Sequence, residues 1–166
     1  WGFWEGSDDA VTGEVGQRRL EEGRTLEETA NALGAQHGIR GFRADKGIEA
    51  ACKATGAVVN EYMAAPVYMA DEACGGHEWA IEFGTPPNDL DIFQRLLDDT
   101  MRNLNSDYDA KRRGDMVLRA PVVHAMRPGT FYAWMKQRGK LGGQNKVPRL
   151  CNDRTLIESL LAPTVP

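Results

Sequence analysis

The chain has 166 residues, of which 42% are hydrophobic and 27% are charged, and its formal net charge at neutral pH is −4. This composition is ordinary for a globular protein, and the length suits one domain with a real hydrophobic core. No apolar run approaches the roughly 20 residues that cross a bilayer, which excludes a membrane-spanning helix in this sequence.

The first 43 residues differ in composition from the rest. They contain eight of the 18 glycines but only six Val, Ile, Leu or Met residues. Thr25 and Glu28 have the spacing of a capping box, and Leu26, Ala30 and Leu33 then share one helical face. Because few other side chains here can fill a core, we expect a loosely packed segment, residues 1–43, with one short helix.

A helix and two strands are predicted next. From position 45 hydrophobic residues recur at helical spacing until Gly56, which ends the run as a C-cap would. Residues 57–69 are rich in Val, Tyr and Met, which favours an extended chain. Residues 77–83 alternate in polarity and place Trp79 and Phe83 on one face. We predict that the two strands form a hairpin.

The second half of the chain alternates between helix signals and one further strand. After Pro86 and Pro87, apolar residues trace one stripe of an amphipathic helix from Leu90 to Leu104. We then predict helix, strand, helix and helix at residues 106–113, 121–126, 130–138 and 153–161. The order predicts an α+β domain, with a small mixed or antiparallel sheet of about three strands packed with helices.

Basic residues are concentrated between Lys111 and Arg149. That stretch holds ten Lys or Arg residues and one acid, Asp115, so its net charge is +9 while the remainder of the chain carries −13. Such segregation is typical of a site for a polyanion: a nucleotide, a nucleic acid or an acidic surface. The alternative is a solvated basic face that acidic neighbours balance in the fold.

Chemistry is most strongly indicated in the loop from residue 138 to 149. Two adjacent glycines allow positive φ angles and close approach of a ligand, and three cations and two side-chain amides, those of Gln144 and Asn145, surround them. A loop of this type can place an ammonium group on a phosphate or a developing oxyanion. The spacing is that of neither a Walker loop nor a dinucleotide fingerprint, and a basic turn without chemical function also fits it. The candidate residues are Lys140, Gly142, Gly143, Gln144, Lys146 and Arg149.

Other chemically capable residues are scattered. The three histidines follow no metal-ligand spacing, and we predict no metal site. The three cysteines fit neither a disulfide framework nor a zinc site, which favours reduced thiols in a cytoplasmic protein. Glu61 and Glu82 lie on predicted neighbouring strands and are interpreted as surface carboxylates.

Three motifs occur in order: Asn105-Ser-Asp-Tyr-Asp-Ala-Lys-Arg112, Gly129-Thr-Phe-Tyr132 and Gly139-Lys-Leu-Gly-Gly-Gln-Asn-Lys-Val-Pro-Arg-Leu150. They closely resemble the C-terminal domain of the auxin-responsive (Gretchen-Hagen-type) acyl acid amido synthetases, most of all the bacterial branch. The resemblance implies a C-terminal lid domain at residues 44–166. Residues 1–43 do not resemble the upstream region of that family, so we expect a fragment whose start is truncated, misassembled or frame-shifted.

The resemblance also implies a reaction. Members of this adenylate-forming family bind ATP, Mg²⁺ and a carboxylic acid in a large N-terminal domain, over which the small C-terminal domain swings. An acyl-adenylate and pyrophosphate form first, and an amine, usually that of an amino acid, then displaces AMP. The family's motif lysine corresponds to Lys146, which is thereby implied to be catalytic, with the neighbouring loop residues around the nucleotide.

The family's ATP-gripping loops belong to the other domain and are not found in this sequence. We therefore expect the fragment alone to be inactive and the missing adenylation domain to be its partner. The alternatives are a nucleic-acid-binding module that uses residues 111–149, which we consider the weaker interpretation, and an interaction domain without a ligand.

Overall fold

The computed structural model describes residues 41–68, 74–115, 117–142, 145–152 and 154–162, with side chains from residue 44 onward. The helix predicted after Thr25, and nearly all of the segment 1–43, lie outside the described residues.

Helices and strands follow the predicted order. They are α1 (Gly41–Thr55), β1 (Val58–Val67), β2 (Gly76–Thr85), α2 (Leu90–Leu104), α3 (Ser106–Arg112), β3 (Val122–Met126), α4 (Thr130–Gln137) and α5 (Arg154–Leu161). A short 3-10 turn, Arg113–Asp115, follows α3. None of the described helices combines the length and the apolar character that crossing a membrane requires.

The described strands form one mixed sheet in the order β1-β2-β3. β1 and β2 pair antiparallel, with Ala64 opposite Trp79, so the predicted hairpin is confirmed. β3 pairs parallel with β2, placing Val123 beside Trp79. The α+β prediction is confirmed, and of its two alternatives the mixed sheet is correct.

The sheet carries helices on both faces. One core cluster joins Trp79, Ile81 and Phe83 to α1, α2 and α3. The other joins Met63 and Ala80 to α4 and α5. Successive side chains of a strand point to opposite faces, so each central strand contributes to both clusters.

Helix α2 supplies much of the first cluster. The Asp89 side chain caps it by accepting hydrogen bonds from the amides of Asp91 (2.9 Å) and Ile92 (3.0 Å). Phe93, Leu97 and Met101 of its apolar stripe are buried, and the ring of Phe93 meets Phe83 edge-on, with 5.3 Å between the centroids. Leu104, at the end of the stripe, is exposed. Trp79 and Phe83, predicted to share one face, are buried together with Phe93 and Leu97 in this cluster.

The first family-like motif is structural. Asn105 caps α3 by accepting from the amide of Asp107 at 3.1 Å. Buried Tyr108 donates its hydroxyl to Asp98 at 2.7 Å, and buried Arg112 binds the same carboxylate. These contacts fasten α3 to α2 beneath the sheet.

Candidate functional site

A carboxylate of the sheet caps the N-terminus of helix α4. Glu82 of β2 accepts hydrogen bonds from the amides of Gly129 (2.9 Å) and Phe131 (3.1 Å), which have no partner inside the helix. Gly129 adopts φ +82°, a conformation that L side chains rarely adopt, so the turn requires glycine. Glu82 is only 8% exposed, so its interpretation as a surface carboxylate is wrong.

A Schellman motif ends helix α4. Gly139, at φ 64°, donates to the carbonyl of Lys136 (3.0 Å), and Lys140 donates to that of Met135 (2.9 Å). The backbone of Lys140 is therefore fixed by the helix end.

The loop after Lys140 is partly described. Gly142 has φ 83°, as predicted for a glycine that makes a tight turn, and its carbonyl accepts from Asn145 Nδ2 at 3.1 Å. Gly143 and Gln144, both predicted to contact the nucleotide, lie outside the described residues.

The far end of the loop joins the sheet. The amide of Ala64 in β1 donates to the carbonyl of Arg149 at 2.8 Å, and the amide of Cys151 donates to the carbonyl of Ala64 at 2.9 Å. This bridge runs parallel to β1 on the edge that β2 leaves open.

The loop, α4 and the ends of β1 and β2 enclose a cleft of about 680 Å³. Four of the six predicted site residues line it. The complete described lining is Glu61, Glu82, Phe131, Tyr132, Met135, Lys140, Leu141, Gly142, Asn145, Lys146, Val147 and Arg149.

Charge in the cleft is unevenly compensated. Lys140 and Lys146 are exposed, and no carboxylate of the described residues lies within ion-pair distance of either ammonium. Arg149 instead binds Asp45, with 2.9 Å between Nη1 and Oδ1. Glu82 is occupied by the amides of α4. Among the three cations that line the cleft, the two lysines are therefore the most available to an anion.

Three of the seven other basic residues of the stretch pair with acids close to them in the chain. Lys111 binds Asp107 at 2.8 Å, and Arg113 binds Asp109 at 2.9 Å. Arg112 is buried against Asp98. Balanced by acids in this way, this part of the stretch does not form the continuous basic face that nucleic-acid binding requires.

No group of three His, Cys, Asp or Glu residues in the described ranges is arranged to hold a metal ion. The charged groups that line the cleft are the ammonium groups of Lys140 and Lys146, the guanidinium of Arg149 and the carboxylates of Glu61 and Glu82. This chemistry suits a phosphorylated or carboxylated ligand.

These features describe a small three-layer domain with a lysine-bearing cleft at one end of its sheet. The model of the GH3 family C-terminal domain matches residues 42–155, and the chain belongs to this family. The resemblance of the three motifs is thereby confirmed at family level, whereas assignment to the bacterial branch stays a prediction.

Two solved structures are similar to the chain. One is a GH3.15 acyl acid amido synthetase, with a TM-score of 0.54, 14% identity, and coverage of 72% of this chain and 22% of that one. The other is AtGH3.15 acyl acid amido synthetase in complex with 2,4-DB, with a TM-score of 0.56, 14% identity, and coverage of 71% and 22%. At this identity the likeness shows the fold, and the chain spans about a fifth of either protein. No curated protein sequence matches the chain.

Proposed function

We propose that the chain is the C-terminal lid part of an ATP-dependent acyl acid amido synthetase, which joins a carboxylic acid to an amine, in this family usually an amino acid. The supporting observation is the cleft between α4 and the loop, where Lys140 and Lys146 have no carboxylate partner among the described residues. Family membership supports the reaction class.

The proposed reaction has two displacements. A carboxylate oxygen of the acid attacks the α-phosphorus of ATP, and pyrophosphate leaves with the electrons of the broken P–O bond. The amine nitrogen then attacks the acyl carbon, loses a proton, and AMP leaves. Negative charge gathers between carboxylate and phosphate in the first step, where the Lys146 ammonium stabilises the transition state more than the ground state.

Neighbouring groups have supporting functions in this proposal. Lys140 adds positive charge at the end of α4, and the backbone at Gly142 allows a phosphate to approach closely. Magnesium does not fit the described residues, which lack a suitable group of three ligands. In this proposal ATP and Mg²⁺ are held mainly by an adenylation domain outside the chain, so the fragment alone is inactive.

The test joins this chain to the adenylation domain of a family member and supplies ATP, a carboxylic acid and an amino acid. Acid-dependent release of pyrophosphate, followed by amine-dependent release of AMP, is expected from the joined protein and from neither part alone. Pyrophosphate release that needs no contribution from this chain contradicts the proposal.

A parallel measurement addresses the nucleic-acid alternative. Binding through the phosphate backbone weakens steeply and linearly on a plot of log affinity against log salt. We expect nucleic-acid binding to be weak, because four of the ten cations of the stretch, Lys111, Arg112, Arg113 and Arg149, are paired with acids of the same domain.

A further inference from the structure

The described contacts near Lys146 lie on either side of it rather than at the residue itself. On the upstream side Asn145 Nδ2 donates to the carbonyl of Gly142 at 3.1 Å. On the downstream side the Arg149 carbonyl accepts from Ala64 at 2.8 Å. In the part of the chain that the structure describes, Lys146 itself makes no hydrogen bond or ion pair. The direction in which the Lys146 side chain points therefore depends on these two anchors, the Asn145–Gly142 and Ala64–Arg149 hydrogen bonds.

The downstream anchor extends into the side chain of Arg149. Its Nη1 donates to Asp45 Oδ1 at 2.9 Å, and the Tyr62 hydroxyl donates to the same oxygen at 2.6 Å. The guanidinium lies over the Tyr62 ring, 5.1 Å from its centroid, and its Nε is 3.6 Å from Glu61 Oε1. An acid of α1, 104 positions away in the chain, thus holds the end of the loop.

These contacts of Arg149 fix the position of the loop end more than they stabilise the fold. The Arg149 and Asp45 side chains are 53% and 50% exposed, so water screens their attraction and the ion pair contributes little to folding. Tyr62, in contrast, is buried. Burial, together with the hydrogen bond to and the charge of Asp45, raises the pKa of Tyr62 above its ordinary value. Its hydroxyl therefore remains a donor to Asp45 throughout the neutral range.

We propose that Arg149 is a positioning residue and not a ligand of the nucleotide: with Asp45 and Tyr62 it holds the loop so that Lys146 faces the cleft. The proposal rests on the proposed function, in which Lys146 meets the polyphosphate of a nucleotide. It reassigns Arg149, which the sequence places among the nucleotide-binding residues.

Asp45→Asn distinguishes Arg149 as a positioning residue from Arg149 as a ligand, because the two functions predict opposite changes in the affinity for a polyanion. If Arg149 is a ligand, losing the competing carboxylate frees its charge, and the cleft binds a polyanion more tightly. If Arg149 positions the loop, binding weakens although the cleft has become more positive. We expect about threefold or greater weakening, as for coupled neighbours, in an NMR titration of the 166-residue chain with ATP and, separately, pyrophosphate.

Two further variants complete the design. Tyr62→Phe removes one bond to Asp45 without changing charge and is expected to weaken binding in the same direction. Asp99→Asn is the matched control, because it removes the same charge from an exposed position of α2 and is expected to leave binding unchanged. Nitrogen-15 relaxation of the amides of Asn145, Lys146 and Val147 gives a readout independent of ligand, and Asp45→Asn is expected to make them more mobile at unchanged Tm.

The outcomes distinguish the two proposals. Weakened binding in Lys146→Ala but tighter or unchanged binding in Asp45→Asn overturns positioning and leaves the proposed function intact. Binding that Lys146→Ala does not weaken counts against the nucleotide-binding function of this cleft, whereas absent binding by the chain alone agrees with a nucleotide that the adenylation domain holds. In that case the amide relaxation decides positioning, and unchanged loop order in Asp45→Asn overturns it.

Discussion

The guanidinium of Arg112 and the carboxylate of Asp98 form an ion pair of 2.7 Å whose side chains are only 7% and 9% exposed. Arg112 also donates to the carbonyl of Leu118 at 2.9 Å and contacts Asp115. Burial alone lowers the pKa of Arg112, but the hydrogen bonds that it donates to Asp98 and Asp115 outweigh burial and keep the pKa above its ordinary value. The pair links α2, α3 and the approach to β3.

Breaking this pair is expected to leave a buried charge without its partner. Asp98→Ala should lower the free energy of unfolding by about 3–5 kcal/mol in chemical denaturation, because Arg112 then loses its bidentate acceptor. The double variant Asp98→Leu with Arg112→Met removes both charges and should cost less than the two single variants together. Additive losses would show that the two residues act independently.

Trp79→Ala tests the first core cluster. Trp79 is fully buried between the sheet and α2, so the change is expected to cost about 3–5 kcal/mol or to unfold the domain, measured by thermal and denaturant unfolding. Tyr132→Ala is the control, because Tyr132 is 64% exposed and its loss is expected to change stability by about 0.5 kcal/mol or less. Similar losses in both variants contradict the assignment of the core.

The order of helices and strands could be predicted because it depends on local periodicity. The apolar stripe of α2 and the alternation that places Trp79 and Phe83 on one face are visible within a few residues. The site depends instead on contacts between distant positions. Glu82 meets Phe131 across 49 positions, and nothing in a single strand distinguishes a carboxylate that caps a helix from one in solvent. The glycines and cations of the loop are visible in the sequence, whereas its anchor at Asp45 has no local signal.

Glu82→Gln tests the docking of helix α4. The carboxylate accepts from two amides at the positive end of the helix, and an amide side chain presents a donor there and lacks the charge. We expect a loss of about 1–2 kcal/mol in the free energy of unfolding. Glu61→Gln is the control from the same cleft, because Glu61 accepts only from the amide of Tyr62 (3.2 Å) among its described hydrogen bonds. A larger loss in Glu61→Gln contradicts the capping function.

Acid stability should depend on Glu78. Burial tends to raise the pKa of Glu78, but hydrogen bonds from Arg154 (2.5 Å) and His124 (3.3 Å) outweigh it and hold the pKa below its ordinary value of 4.5. The folded state thus binds the proton more weakly than the unfolded chain does. The carboxylate therefore stabilises the fold above pH 4.5, and this contribution is lost as the pH falls through the folded pKa.

Glu78→Gln makes that dependence measurable. The wild type should exceed the variant in Tm at neutral pH, and the difference should shrink below pH 4.5. Glu158→Gln is the control, since Glu158 binds the same Arg154 at 3.0 Å but is 58% exposed and is expected to have a small effect. A Tm difference that is constant with pH would contradict the stabilisation of the fold by the ionised Glu78 carboxylate and Arg154.

The decisive prediction concerns Lys146 in the protein joined to an adenylation domain. If its ammonium stabilises charge that grows only in the transition state, Lys146→Ala should lower kcat more than it raises KM for ATP. The loss in acid-dependent pyrophosphate release is expected to be about 10²–10³, typical for a deleted electrostatic donor, with an unchanged melting curve because the side chain is exposed. Lys140→Ala is the matched control: it removes the same charge from the same cleft, but at the helix end and not at the position that matches the family's lysine, and should reduce the rate much less. Equal effects of the two variants would show that the loop acts only as a general basic surface. A Lys146→Ala protein as fast as wild type would show that this lysine has no function in the reaction.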